Sequence, residues 1–172
     1  MKHLKQIAII VLIILLVAGT CMAANSSVTC TDRQSFLDGA VRTVTISWIG
    51  DDATGAIPAT STDDIILFGT SNQTVTSWMQ GYYIFDVEVD PGLTAPTALY
   101  DIAITSEGGA SLTNGSSDDL SATVTQRRRP SGYSGAVPWM GEQSITGPIT
   151  LTWSNTTVNS STGTITLFLR KP

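Results

Sequence analysis

The chain has 172 residues, with nine Lys or Arg against fourteen Asp or Glu and a formal net charge of −5. An acidic balance of this kind repels nucleic acid and anionic lipid overall. One histidine, His3, and two cysteines, Cys21 and Cys30, leave little for imidazole- or thiol-based catalysis, while sparse charge and abundant Thr, Ser, Gly, Val and Ile describe an all-β domain with many turns.

Residues 1–23 read as an export signal. Lys2 and Lys5 form a positive start, Ile7 to Ala18 are all apolar, and Gly19 to Ala23 supply small residues before a cut near Ala23. The apolar run is shorter than the roughly 20 residues a bilayer span needs. A lipoprotein reading of Cys21 meets a bulky Thr20 and an alanine at position 18 where leucine is usual. Cleavage leaves 149 residues with no histidine, seven basic against fourteen acidic residues, and Cys30 as the single thiol. That length predicts one domain with a real core. A lone thiol is free or pairs between chains, and an inert, partly buried Cys30 is the simpler expectation.

After a polar leader over residues 24–40, the domain is expected over 41–172. Val41 to Ile49 alternates, with Val44, Ile46 and Trp48 on one face and Thr43, Thr45 and Ser47 on the other. Gly50-Asp51-Asp52 marks a turn, and a loop runs on to Thr62. Ile65 to Phe68 reads as a short strand. Thr74 to Asp90 reads as two strands broken at Gly81, with Tyr83, Phe85, Val87 and Val89 inward in the second. Ala98 to Thr105 places Tyr100, Ile102 and Ile104 together, and a Gly-, Ser- and Asn-rich loop follows. Leu120, Ala122 and Val124 make a half-buried strand, and 127–143 wanders over the surface. Thr146-Gly147-Pro148-Ile149-Thr150-Leu151 recurs sixteen positions later as Thr162-Gly163-Thr164-Ile165-Thr166-Leu167, which predicts a closing hairpin. Seven or eight short strands without sustained helical periodicity predict a β-sandwich, with a jelly roll as its particular candidate form.

The mature chain offers no base for Ser–His or Cys–His machinery, no Gly-x-Ser-x-Gly elbow, no His or Cys set for zinc and no phosphate loop. No catalytic residue and no cofactor is implied. Asp86, Glu88 and Asp90 at every second position share one strand face, as a calcium site or a glycosidase pair would, but Val87 and Val89 between them explain the same pattern as a solvated face over a core. Asp118 and Asp119 close an oxygen-rich loop and are the calcium candidates, against the plainer reading of a turn. Arg127, Arg128 and Arg129 form the basic cluster, suited to a solvated strand end or a protein contact. Trp48 and Trp153 belong to the core. Trp78 and Trp139 fall near turns and are candidate contacts for another protein subunit or a glycan.

Trp48, the segment Pro96-Thr97-Ala98-Leu99-Tyr100-Asp101 and the closing Gly147-Pro148-Ile149-Thr150-Leu151 resemble, in the same order, small β-rich proteins of unassigned role encoded in tailed-phage genomes. The central loop departs from their pattern, with Glu107-Gly108-Gly109 and Asn114-Gly115 in place of Asp-Gly and Asn-Arg elements. The resemblance implies a virion-associated structural or surface protein, non-enzymatic, acting through protein–protein contacts in a homo-oligomer. The export signal points to the periplasm, the exterior or a particle surface. It keeps open a second reading as a secreted or periplasmic binding module, adhesin-like or carbohydrate-binding.

Overall fold

The computed structural model of the protein describes residues 26–113, 118–134, 137–140 and 143–172. The side chains of 131–143 lie outside that description, as do residues 1–23, read from sequence as an export signal, and the loop residues 114–117. In chain order the strands are β1 (Ser27–Phe36), β2 (Val41–Ile49), β3 (Thr60–Ser61), β4 (Tyr83–Pro91), β5 (Asp101–Ser106), β6 (Gln126–Arg128), β7 (Ser131–Ser134), β8 (Val137–Met140), β9 (Gln143–Ser144), β10 (Ile149–Ser154) and β11 (Thr162–Arg170). A helix of one and a half turns, α1 (Val75–Met79), precedes β4. The fold is all-β, built on two antiparallel sheets. The larger runs β1-β2-β11-β4-β6, with β9 also pairing with β4; the smaller runs β3-β10-β5, and β7 and β8 form a separate hairpin.

Alternation decides which face of each strand is buried. In β2, Val44, Ile46 and Trp48 are buried, and in β11 so are Gly163, Ile165, Leu167 and Leu169. These face Tyr100, Ile102, Ile104, Ile149, Leu151 and Trp153 from the smaller sheet in one core. Trp48 spans the gap, with its ring centroid 6.4 Å from Tyr100 and 5.8 Å from Trp153. Its own cross-strand partner is Gly163, whose missing side chain gives the indole its space.

Several expectations need correction. The stretch read as a polar leader contains β1, a full edge strand paired along β2, with a bulge between Cys30 and Asp32. Its polar side chains fit an edge that is covered on one side at most. The first half of Thr74 to Asp90 is helical, because Thr74 caps the turn by accepting the Ser77 amide at 3.4 Å and puts Val75, Thr76 and Met79 into the core. In β4 the inward residues are Ile84, Val87 and Val89. Phe168 pairs with Asp86 and Leu169 with Ile84, so Phe85 is an extra residue that flips the alternation. Phe85 sits beside Phe168, 6.2 Å between ring centroids.

Ile65 to Phe68 holds a single bridge, Ile66 to Thr74, and Leu120 a single bridge to Tyr100; neither region forms a strand. Val124 is 59% exposed, against the half-buried position expected for it. The region 127–143 supplies β6 to β9 where a wandering surface segment was expected. The repeated C-terminal segments are not hairpin partners. β10 pairs with β3 and β5, and β11 pairs with β2 and β4. The intervening residues 155–161 carry the chain between sheets, and matching inward faces serve two opposed sheets as well as they would serve neighbours.

Candidate interaction surface

Three side-chain clusters lie on the outside of this core. The first is on the outer face of the larger sheet, where hydroxyls run across strands: Thr31 Oγ1 lies 2.9 Å from Ser47 Oγ, and Thr45 Oγ1 lies 3.0 Å from Thr166 Oγ1. Arg127 enters this face from β6. Its Nε is 3.4 Å from Asp86 Oδ2 and 3.3 Å from Glu88 Oε2, and its guanidinium lies 4.6 Å from the centre of the Phe168 ring. Asp90, the third acid in the row, accepts the Thr125 hydroxyl at 2.6 Å. The acidic row and the basic cluster, read separately in sequence, thus meet at Arg127. Arg128 is half-buried and Arg129 is exposed on the same strand end.

The second cluster surrounds Trp78. Arg42 stacks with its guanidinium 4.1 Å from the Trp78 ring centre and 4.4 Å from that of Tyr82, and Arg33 lies 4.9 Å from Trp78. Arg42 Nη1 also donates to the Trp78 carbonyl at 2.7 Å, and Trp78 Nε1 donates to the Thr43 carbonyl at 3.3 Å. Trp78 is therefore half-buried and engaged with two cations, with its edge tied to β2. Trp139 lies in β8 opposite Gly132 of β7, and its side chain is outside the described residues.

The third cluster is the free margin of the larger sheet. Among the described residues β1 has β2 as its one ladder partner. A groove separates Val28, Thr29 and Cys30 from the loop Asp64 to Thr70. That loop turns Ile65 and Leu67 into the core and leaves Ile66 48% and Phe68 52% exposed. At the far end of the strand Phe36 is exposed, and Leu37 is 78% exposed with a left-handed backbone. Cys30 is a buried free thiol whose titration is pushed up, by burial first, against the lowering effect of backbone contacts with Phe68 and Asp32. A thiol held in that state is a poor nucleophile.

Sequence reasoning missed Asp101. Its Oδ1 accepts the Asp119 amide at 2.8 Å, and its Oδ2 accepts from Ser154 Oγ at 3.0 Å and Asn155 Nδ2 at 2.8 Å. The carboxylate ties β5 to two loops, and only the tertiary fold brings those donors together. The calcium candidates Asp118 and Asp119 are both exposed, and among the described residues no three His, Cys, Asp or Glu side chains group as a metal site. Asp51 accepts the Ala53 and Thr54 amides and the Thr54 hydroxyl, all at Oδ1. Those bonds, the Thr54 hydroxyl first, hold its carboxyl below the usual range.

Comparison with known protein families, with curated proteins and with solved structures yields no match.

Proposed function

We propose that the protein is a non-enzymatic structural or surface subunit, exported and virion-associated, that works by contacts between copies of itself. The observation that carries this reading is the ten-residue edge strand β1, with exposed Ile66 and Phe68 beside it. An uncovered edge offers a row of backbone donors and acceptors to a second chain, and flanking apolar side chains add area that water leaves on contact. The bulge in the middle of β1 limits indiscriminate pairing, as edges that choose their partner require.

Strand order supports the finer fold reading. The chain passes from one sheet to the other at nearly every step, so the larger sheet interleaves β2-β11-β4-β6 and the smaller β3-β10-β5. Ser111 and Leu120 bridge Thr105 and Tyr100 of the β5 region, the remnant of a fourth strand for the smaller sheet. With β1 as an extra edge strand, the four strands β2-β11-β4-β6 interleaved with three strands and this bridged segment are in keeping with a jelly roll, an architecture of capsid and lectin domains.

Lectin use of the same architecture favours a second reading, the exported binding module. Trp78, its proposed sugar platform, already faces Arg33 and Arg42, which leaves less ring for a ligand. Two measurements separate the readings. A ring or filament in electron micrographs, with no signal on a glycan array, supports the structural subunit; a monodisperse monomer whose glycan binding disappears in Trp78→Ala supports the binding module and sinks the first reading.

A further inference from the structure

The chain has five asparagines, at 25, 72, 114, 155 and 159, and every one stands two residues before a serine or threonine: Asn25-Ser26-Ser27, Asn72-Gln73-Thr74, Asn114-Gly115-Ser116, Asn155-Thr156-Thr157 and Asn159-Ser160-Ser161. Serine and threonine together make up 43 of 172 residues. Independent placement would put all five asparagines in such triplets in about one chain in a thousand, for the acceptor pattern Asn-x-Ser/Thr without proline at x. The three asparagines within the described residues, Asn72, Asn155 and Asn159, are all exposed. Asn72 lies in the loop before α1, and Asn155 and Asn159 lie in the connection between β10 and β11. We infer that Asn72, Asn155 and Asn159 are sites of N-linked glycosylation.

In the transfer, the Nδ2 of asparagine attacks the anomeric carbon of an oligosaccharide carried on a polyprenyl phosphate lipid. The C1–N bond forms, the C1–O bond to phosphate breaks, the phosphate leaves with the bonding pair, and one Nδ2 proton is lost. The resulting secondary amide keeps one N–H. At Asn155 that remaining proton suffices for the 2.8 Å bond to Asp101 Oδ2, so the modification and the fold are compatible.

The folded chain also dictates when transfer happens. The hydroxyls that complete the triplets are occupied or enclosed once folding is done: Thr74 Oγ1 caps α1, Thr157 Oγ1 lies 2.7 Å from Thr97 Oγ1, and Ser161 is fully buried. An enzyme that reads the third residue therefore meets these triplets in the unfolded, newly exported chain. The inference rests on the export reading, because lipid-linked donors of this kind are used on the far side of the membrane.

The test is intact-mass and peptide mass spectrometry on the protein recovered from the cells that naturally make it, with Asn72→Gln and Asn159→Gln expressed in the same cells. Both residues are exposed, so neither change threatens folding. The expected result is a chain lacking the export segment, with sugar mass on the peptides holding Asn72, Asn155 and Asn159, and the loss of one sugar increment in each variant. An exported, processed chain with bare peptide masses at all three sites overturns the inference and leaves the export reading standing. A chain retained in the cytoplasm with residues 1–23 attached overturns the export reading itself, and this inference with it.

Discussion

Gly163→Ala is the sharpest perturbation of the core. A Cβ at this position would overlap Cζ2 of Trp48, and would fall 2.6 Å from Cη2 of the same ring and 2.8 Å from the Asp90 carbonyl oxygen. Ordinary contact begins at 3.4 Å, so the ring has to retreat by more than about 0.8 Å, and the backbone of β4 must yield as well. Trp48 is 1% exposed and boxed by Tyr100 and Trp153. It has nowhere to go without moving the smaller sheet. Overpacking of this kind costs about 1–3 kcal/mol, occasionally more, and the lower entropy of unfolded alanine returns only about 0.4–1 kcal/mol. With ring and backbone both obstructed, the net loss is expected at about 2–3 kcal/mol, or roughly 4–12 °C in Tm for a domain of this size. Thermal and urea unfolding of Gly163→Ala, Trp48→Leu and the double variant measure it. The double variant, with the overlap mostly relieved, should be more stable than the sum of the two single losses by at least about 1 kcal/mol. A Tm within about 2 °C of the parent, or strict additivity in the cycle, would refute the account of how the sheets are spaced.

Other predictions follow from charges and hydroxyls. Burial, followed by the Asp90 charge, pushes the Tyr100 phenol up to about 12. Its contribution to stability is therefore complete below pH 10 and lost as pH rises through about 12, so Tyr100→Phe should flatten the alkaline limb of a stability–pH curve. Among the described residues the buried Tyr100 hydroxyl has no partner, and the same variant should be unchanged or up to about 1–3 kcal/mol more stable at pH 7; clear destabilisation there contradicts it. Asp51 is shifted the other way, so its contribution is full above the ordinary value of 3.8 and declines as pH falls through its lower folded value. Asp51→Ala should melt lower at pH 7, and chemical denaturation at pH 2–3 should show the gap closing. Arg127→Met removes an ion pair whose cation is 55% exposed, so its loss in stability should stay under about 1 kcal/mol and shrink further in high salt.

The two-sheet core was legible because Val44, Ile46, Trp48, Ile102, Ile104, Leu151 and Leu167 alternate without interruption, and period two has one geometric meaning. The failures have specific physical causes. β1 reads as polar because an edge strand has little face to bury. α1 is too short for helical periodicity, and its Val, Thr and Trp residues favour strands; only the Thr74 cap marks it. In β4 the bulged Phe85 reverses the phase within one strand, which no alternation pattern reveals in advance. The C-terminal echo correctly marks two strands with one inward face each, but similarity of pattern carries no information on which strands share a ladder. For the candidate surfaces, sequence located Arg127 and Trp78 but not their partners, because Asp86 is 41 positions from Arg127 and Arg42 is 36 from Trp78. Asp101 had no signal beyond its place after Tyr100.

The proposed function rests on self-association through the margin formed by β1, Ile66 and Phe68. Native mass spectrometry of the purified chain, paired with electron microscopy of the same sample, tests it most directly when set beside the double variant Ile66→Lys, Phe68→Asp. Both side chains are exposed, so the variant should keep the parent's Tm within about 2 °C. A multimer with regular particles is expected for the parent and a single-chain mass for the variant. A parent that runs as one chain at every concentration, or a variant that assembles as the parent does, would contradict it.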